Sequence, residues 1–214
     1  MSTNRVEEYL EAIFKVAQLG KVSLTTLSKE LKLSAPTVSE MLKRMAKNDL
    51  VTLKDGISLT RNGSRLAKKV IRRHRLSERL LTDILGLPWD KAHDEACKLE
   101  HVITGEVEDQ LAKSLGNPKT CPHGHPIPSK DGKVKIEKTK KLDTLKSGDS
   151  AIIKLVFEDD PKMLKYLSSL GLLPDVKIKV KEVAPFGGPI IVKIGRSMYA
   201  LGKTIASKIE VARV

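Results

Sequence analysis

The chain has 214 residues and a mass of 23.6 kDa, room for one large domain or two to three small ones. Hydrophobic residues make up 40%, enough for a packed core, yet no run approaches the roughly 18–20 apolar residues of a membrane helix, and two cysteines cannot build a disulfide framework. A net charge of +13 favours a polyanionic partner and argues against an acidic disordered regulator.

The start, Met1-Ser2-Thr3-Asn4-Arg5, leads into acidic residues rather than an apolar signal segment, so a cytoplasmic, reducing setting is expected. Val6, Leu10, Ile13 and Ala17 recur at helical spacing, with Tyr9 and Phe14 widening the stripe and Gly20 stopping the helix. Leu24, Leu27 and Leu31 predict a short second helix. Ser34 is a good N-cap for a third over residues 35–48, with Pro36 in its first turn and Val38, Met41, Leu42 and Met45 on its apolar face. Val51/Leu53 and Ile57/Leu59 alternate around Lys54-Asp55-Gly56, a hairpin signal.

Three helices and a hairpin read as a winged helix-turn-helix, whose third helix enters the major groove of double-stranded DNA. Its leading face offers Ser34, Pro36, Thr37, Ser39 and Glu40, while Arg44, Lys47 and the wing residue Lys54 can hold phosphates. Residues 1–75 hold 16 basic and 7 acidic side chains, which favours DNA. A small protein-binding winged helix is the alternative.

A long helix is expected from Thr60 to about Leu85, ended by Gly86-Leu87-Pro88, and another over about residues 90–115, ended by Gly116-Asn117-Pro118. Residues 121–141, beginning Cys-Pro-His-Gly-His-Pro-Ile-Pro, read as an extended connector. Its prolines suggest a rigid tether, although Cys121, His123 and His125 could also bind a metal. Beyond it, residues 151–157, 176–183, 189–194 and 208–211 look like strands and 163–170 like a helix, together a small β-barrel.

Residues 76–125 hold 5 basic and 9 acidic side chains and carry the chemistry. On a continuous helix, Cys97 would align with Glu100 and His101 at i+3 and i+4, and His93 would sit one turn before. His74 and Glu78 are also i and i+4 on the preceding helix. Thiolate, imidazole and carboxylate together suit a borderline first-row divalent metal, not calcium or magnesium. A cysteine-dependent hydrolase needs an oxyanion hole, of which nothing is evident, and no substrate site is evident either. A non-enzyme is expected. A helix face holding these residues without a metal remains the plain alternative.

The runs His74-Arg75-Leu76-Ser77-Glu78-Arg79-Leu80-Leu81, His93-Asp94-Glu95-Ala96-Cys97 and Glu100-His101 resemble the signature of the iron-dependent repressors of the diphtheria toxin repressor type. So do Ala35-Pro36-Thr37-Val38-Ser39 and His125-Pro126-Ile127-Pro128, and the likeness covers essentially the full length. It implies a mainly α chain with a small β domain: a winged helix over residues 1–72, a helical dimerisation and metal domain over 73–122, a tether over 123–145 and an SH3-like β-barrel over 146–214. It further implies a homodimeric, metal-dependent transcriptional repressor on a palindromic operator, with no membrane and no small-molecule substrate.

By the same resemblance, the primary metal site would use Cys97, Glu100, His101 and a first-helix residue, here Glu8. The ancillary site would use His74, Glu78 and His93 with a barrel residue, matched to Asp160, with Glu158 and Asp159 as neighbours. Iron-sensing members typically carry Met at the position of Glu8, and manganese-sensing members an acidic residue without the cysteine. Fe(II) is expected because of the thiolate, Mn(II) is the alternative, and Co, Ni or Zn can substitute in vitro.

Overall fold

The computed structural model describes residues 3–135, 137–157 and 160–213. They fall into two compact units, each built from non-contiguous chain: residues 1–74, 98–108 and 128–133, and residues 75–97, 109–127 and 134–214.

In the first unit, α1 (Thr3–Leu19), α2 (Leu24–Leu31) and α3 (Ala35–Lys47) precede a two-stranded wing, β1 (Val51–Thr52) and β2 (Ser58–Leu59). Ser23 and Thr26 cap α2 reciprocally, and Lys32 closes it in the left-handed region. Ser34 caps α3 ahead of Pro36, satisfying amides the helix cannot bond itself. The wing pairs Val51 with Leu59 and Thr52 with Ser58. Tyr9, Leu10, Ile13, Leu27, Val38, Leu42, Met45, Ala67 and Ile71 form one buried core.

Thr60 opens α4 (Arg61–Arg79) by accepting from the Gly63 amide at 3.0 Å while its hydroxyl donates to Asp49 O at 2.6 Å. Gly63 is required there, since a Cβ would lie 1.9 Å from Leu50 O. The expected single helix to Leu85 continues as a π-turn over Leu80–Ile84, ended by Gly86 at φ +67°.

The expected continuous helix over 90–115 is broken. α5 (Trp89–Leu99) and α6 (Gly105–Ser114) are separated by a turn at residues 100–104. Glu100 and His101 therefore do not continue the helical face of Cys97. Thr104 starts the second helix, its carbonyl accepting from Glu108 N at 2.9 Å. Ser and Thr favour such starts because their side chains offer local bonds to the backbone.

In the second unit, Leu76, Ala112 and Ile127 form a small core. The C-terminal domain is one antiparallel sheet in the order β3-β8-β4-β5-β6-β7. Its strands are β3 (Lys140–Lys141), β4 (Ser150–Val156), β5 (Lys177–Val183), β6 (Ile190–Ile194), β7 (Ser197–Leu201) and β8 (Ile209–Arg213). Helix α7 (Pro161–Ser169) and the short α8 (Lys203–Ala206) complete it. Alternate residues Ala151, Ile153, Ile178, Val180, Ile190 and Val192 point into its core with Leu164 and Leu167 of α7. β7, β3 and α8 escape the sequence reading: Ser197–Leu201 lacks a clear apolar alternation, and the other two are shorter than any periodic window.

The expected extended connector is instead a compact loop where it begins. Cys121 N donates to His125 O and Gly124 N to Cys121 O, both at 2.9 Å, and Thr120 bridges Pro126. Arg75, buried on α4, donates to Pro126 O, and Arg79 Nε donates to Thr120 O at 2.8 Å. Val156 N on β4 donates to His123 O at 3.0 Å.

Candidate metal centres and nucleic-acid interface

His74 and Glu78 each belong to a buried group of ligand-type side chains. In the first unit, Glu11 of α1, His74 of α4 and Glu100 of the α5–α6 turn are all buried, with ligand-type atoms within 4.8 Å of one another. His74 Nδ1 lies 2.6 Å from Glu100 Oε2 and 3.9 Å from Glu11 Oε1. Burial pushes the Glu100 carboxyl above the usual range, with Glu11 adding to it and the bond from His74 opposing. Burial also raises Glu11, but the Lys15 ammonium 3.1 Å away and His74 outweigh it and hold that carboxyl at about 2. Lys15 offsets the charge of Glu11, but a buried Glu100 carboxylate is costly without a further cation. The donor set and its spacing fit a divalent ion with oxygen and nitrogen ligands at about 2.0–2.2 Å.

His101 stands beside this group, with Nε2 3.3 Å from Glu100 Oε1 and Nδ1 2.7 Å from Glu7 Oε2. Glu8 is exposed on α1. Glu11 sits three residues further on, on the same side of the helix. Sequence reasoning missed Glu11 because it reads as one more charge beside the apolar stripe; only the side it presents to α4 distinguishes it.

In the second unit, Glu78, Cys121 and His123 are buried and share a second group, again within 4.8 Å. His123 Nε2 lies 3.0 Å from Trp89 O. A carbonyl only accepts, so Nε2 carries the hydrogen and Nδ1 faces Glu78 Oε1 at 3.2 Å. Its ring stacks on Trp89 with centroids 5.1 Å apart. Burial opposes the charged imidazole, but the hydrogen bonds it donates to Cys121 and Glu78 push its pKa up to about 10. His93 Nδ1 is 3.5 Å from the same Glu78 oxygen, and Cys97 Sγ is 3.7 Å from His93 Nε2. The signal for Cys121 and His123 was present as the Cys-x-His spacing; the flanking prolines pointed instead to a tether.

Asp160 is exposed and caps α7, accepting from Lys162 N at 2.9 Å. Glu158 and Asp159 lie outside the described residues. His125 packs edge-on to Phe157.

On α3, Ser34, Pro36, Thr37, Glu40, Arg44 and Lys47 are exposed, and Ser39 is half-buried. Ser34 Oγ accepts from Thr37 N at 3.4 Å and lies 2.8 Å from Thr37 Oγ1, so both side chains take part in the cap. Glu40 pairs with Arg44. Lys54 is exposed in the wing, and Lys43, absent from the sequence-derived set, is exposed one residue before Arg44.

Three family models match the chain. "Iron dependent repressor, N-terminal DNA binding domain" covers residues 1–56, "Iron dependent repressor, metal binding and dimerisation domain" covers 60–129 and "FeoA domain" covers 140–213. The chain is 34% identical to the iron-dependent repressor IdeR of Mycobacterium leprae, over 97% of this chain and 96% of that one. It is 40% identical to the diphtheria toxin repressor of Corynebacterium jeikeium over 76% and 72%. Among solved structures it is similar to a manganese-dependent transcriptional repressor in complex with manganese, with a TM-score of 0.91, 34% identity and coverage of 98% and 100%. It is also similar to T. acidophilum IdeR, with a TM-score of 0.82, 26% identity and 97% coverage of each chain.

Proposed function

Because this chain belongs to the iron-dependent repressor family of metal-dependent, DNA-binding transcriptional repressors, we propose that its metal response resides in the buried Glu11–His74–Glu100 group. That group is the observation that carries the reading. It ties α1, α4 and the α5–α6 turn, and α1 packs against the helix-turn-helix. Glu11, His74, Glu100 and His101 would hold the ion, with Glu8 as an exposed outer donor. When bound, the ion supplies positive charge to two buried carboxylates.

With that charge present, Glu11 and Glu100 lose their reason to separate. The ordered α1 then presents α3 in one orientation, and a homodimer matches a palindromic operator whose half-sites are set by helical turns. Metal and DNA each tighten the other by the same factor, typically about 1–3 kcal/mol of coupling. Ser34, Pro36, Thr37, Ser39 and Glu40 would meet base edges, and Arg44, Lys47 and Lys54 phosphates.

A second site is proposed at Glu78, Cys121 and His123, with His93 adjacent, Cys97 next to His93, and Asp160 as the carboxylate from the C-terminal domain. The first group offers oxygen and nitrogen without sulfur, which favours Mn(II) as the signalling ion. Fe(II) is the second reading, supported by the thiolate of Cys121 in the other group. No helix among the described residues is long and apolar enough to cross a membrane, and action in the cytoplasm is proposed.

The test is anaerobic DNA-binding anisotropy on a family-type palindrome at fixed salt, titrating Mn(II) and Fe(II) separately with chelator reversal. Binding that appears with metal, reverses with chelator and disappears in Glu11→Gln is expected. Equal affinity with and without metal would overturn the reading.

A further inference from the structure

Glu7 divides its two oxygens. Oε1 accepts from Arg73 Nη2 at 2.7 Å, and Oε2 lies 2.7 Å from His101 Nδ1. The other arm of Arg73 donates from Nη1 to Ile103 O at 3.3 Å, in the turn that follows His101. The side chains of Glu7, Arg73 and His101 are 17%, 16% and 10% exposed, so the network is largely shielded from water, where charge-assisted bonds are strongest. An ionised carboxylate only accepts, so the hydrogen between Glu7 and His101 belongs to Nδ1. That leaves Nε2 as the nitrogen facing Glu100 Oε1.

We propose that Glu7 is a positioning residue for the metal group: it fixes the tautomer and ring plane of His101, and Arg73 holds Glu7 and the His101 turn in register. The inference rests on the metal reading above and adds to it a carboxylate–histidine pair acting behind the ligands. Such partners orient a ligating imidazole and raise its basicity, and their loss typically costs roughly 10- to 100-fold in metal affinity. The arrangement also joins α1 to the turn carrying Glu100 and His101 by a route separate from Glu11. Sequence spacing conceals it, since Glu7 and His101 are 94 positions apart.

The experiment compares full-length wild type with Glu7→Ala, Glu7→Gln and Arg73→Met. Two-bond 1H–15N imidazole spectra of the metal-free protein read the His101 tautomer. Calorimetric titration with Mn(II) reads affinity and stoichiometry. Wild type and Glu7→Gln, whose amide oxygen still accepts, should hold hydrogen on Nδ1, while Glu7→Ala should show a mixed or reversed tautomer. Mn(II) should bind Glu7→Ala roughly 10- to 100-fold more weakly with unchanged stoichiometry. Glu7→Gln should bind closer to wild type, and Arg73→Met between wild type and Glu7→Ala. Wild-type tautomer and affinity in Glu7→Ala would make the pair an ordinary ion pair, and loss of one bound ion would make Glu7 a direct ligand; either overturns the proposal. A wild type that binds no Mn(II) while the tautomer still depends on Glu7 would instead refute the metal reading beneath it.

Discussion

Gly124→Ala is aimed at the proposed site of Glu78, Cys121 and His123. Gly124 sits between His123 and His125 at φ +91°, with its amide donating to Cys121 O. A Cβ there would lie 2.0 Å from Lys154 O and 2.7 Å from Leu155 Cα, both backbone atoms of β4 that cannot swing aside. Reaching the 3.4 Å of ordinary contact requires the loop to retreat from β4 by about 1.4 Å. The left-handed backbone adds roughly 1–3 kcal/mol of strain for a residue with a Cβ, and the overlap about 1–3 kcal/mol more. The combined cost, roughly 2–6 kcal/mol, is a large share of a domain's stability. Metal-binding constellations tolerate only about 0.5 Å of misplacement, so Cys121 and His123 should no longer meet Glu78. The assay is Mn(II) and Zn(II) stoichiometry by calorimetry together with thermal melting. One bound ion per chain should be lost, the Glu11 group should still load, and melting should fall by about 10 °C. Wild-type stoichiometry and melting in Gly124→Ala would refute the close-approach reasoning.

Three further outcomes are expected. Replacing Arg44, Lys47 and Lys54 together by Gln should lower the slope of log affinity against log salt by roughly 0.9 per lost phosphate contact, about 2.7 in all, with metal binding unchanged; an unaltered slope removes these residues from the interface. Glu11 is depressed from 4.5 to about 2 in the folded chain. A carboxyl lowered on folding stabilises above its unfolded value and loses that contribution as pH falls through the folded one. Denaturant unfolding of the metal-free protein should therefore weaken more between about pH 4.5 and 2 in wild type than in Glu11→Gln, and parallel curves would contradict this. Trp89→Phe keeps a ring for stacking on His123 but loses the Nε1–H donation to Leu164 O at 3.1 Å. It should cost about 1 kcal/mol by chemical denaturation, and no change would mean the bond is replaced by water.

The sequence by itself determined the winged helix, because Ser34, Pro36 and the periodic Val38, Met41, Leu42 and Met45 act through bonds and spacings only a few residues long. It also determined most strands of the C-terminal sheet, whose inward residues alternate with period two. The same local logic failed where one helix was expected over residues 90–115, since nothing in the apolar periodicity marks the turn at 100–104. That turn frees Glu100 and His101 from the face of Cys97.

Only the tertiary structure decided the company each candidate ligand keeps. His74 meets Glu11 and Glu100, and Glu78 meets Cys121 and His123, company that the i, i+4 spacing of His74 and Glu78 does not foretell. Cys121 and His123 looked like a tether because prolines report backbone stiffness, not what a folded loop is pressed against. The chain's donor types were legible because they are covalent facts. Their partners were not, because groups separated by 26 to 94 positions, such as His74 with Glu100 and Glu7 with His101, meet only after the cores have packed.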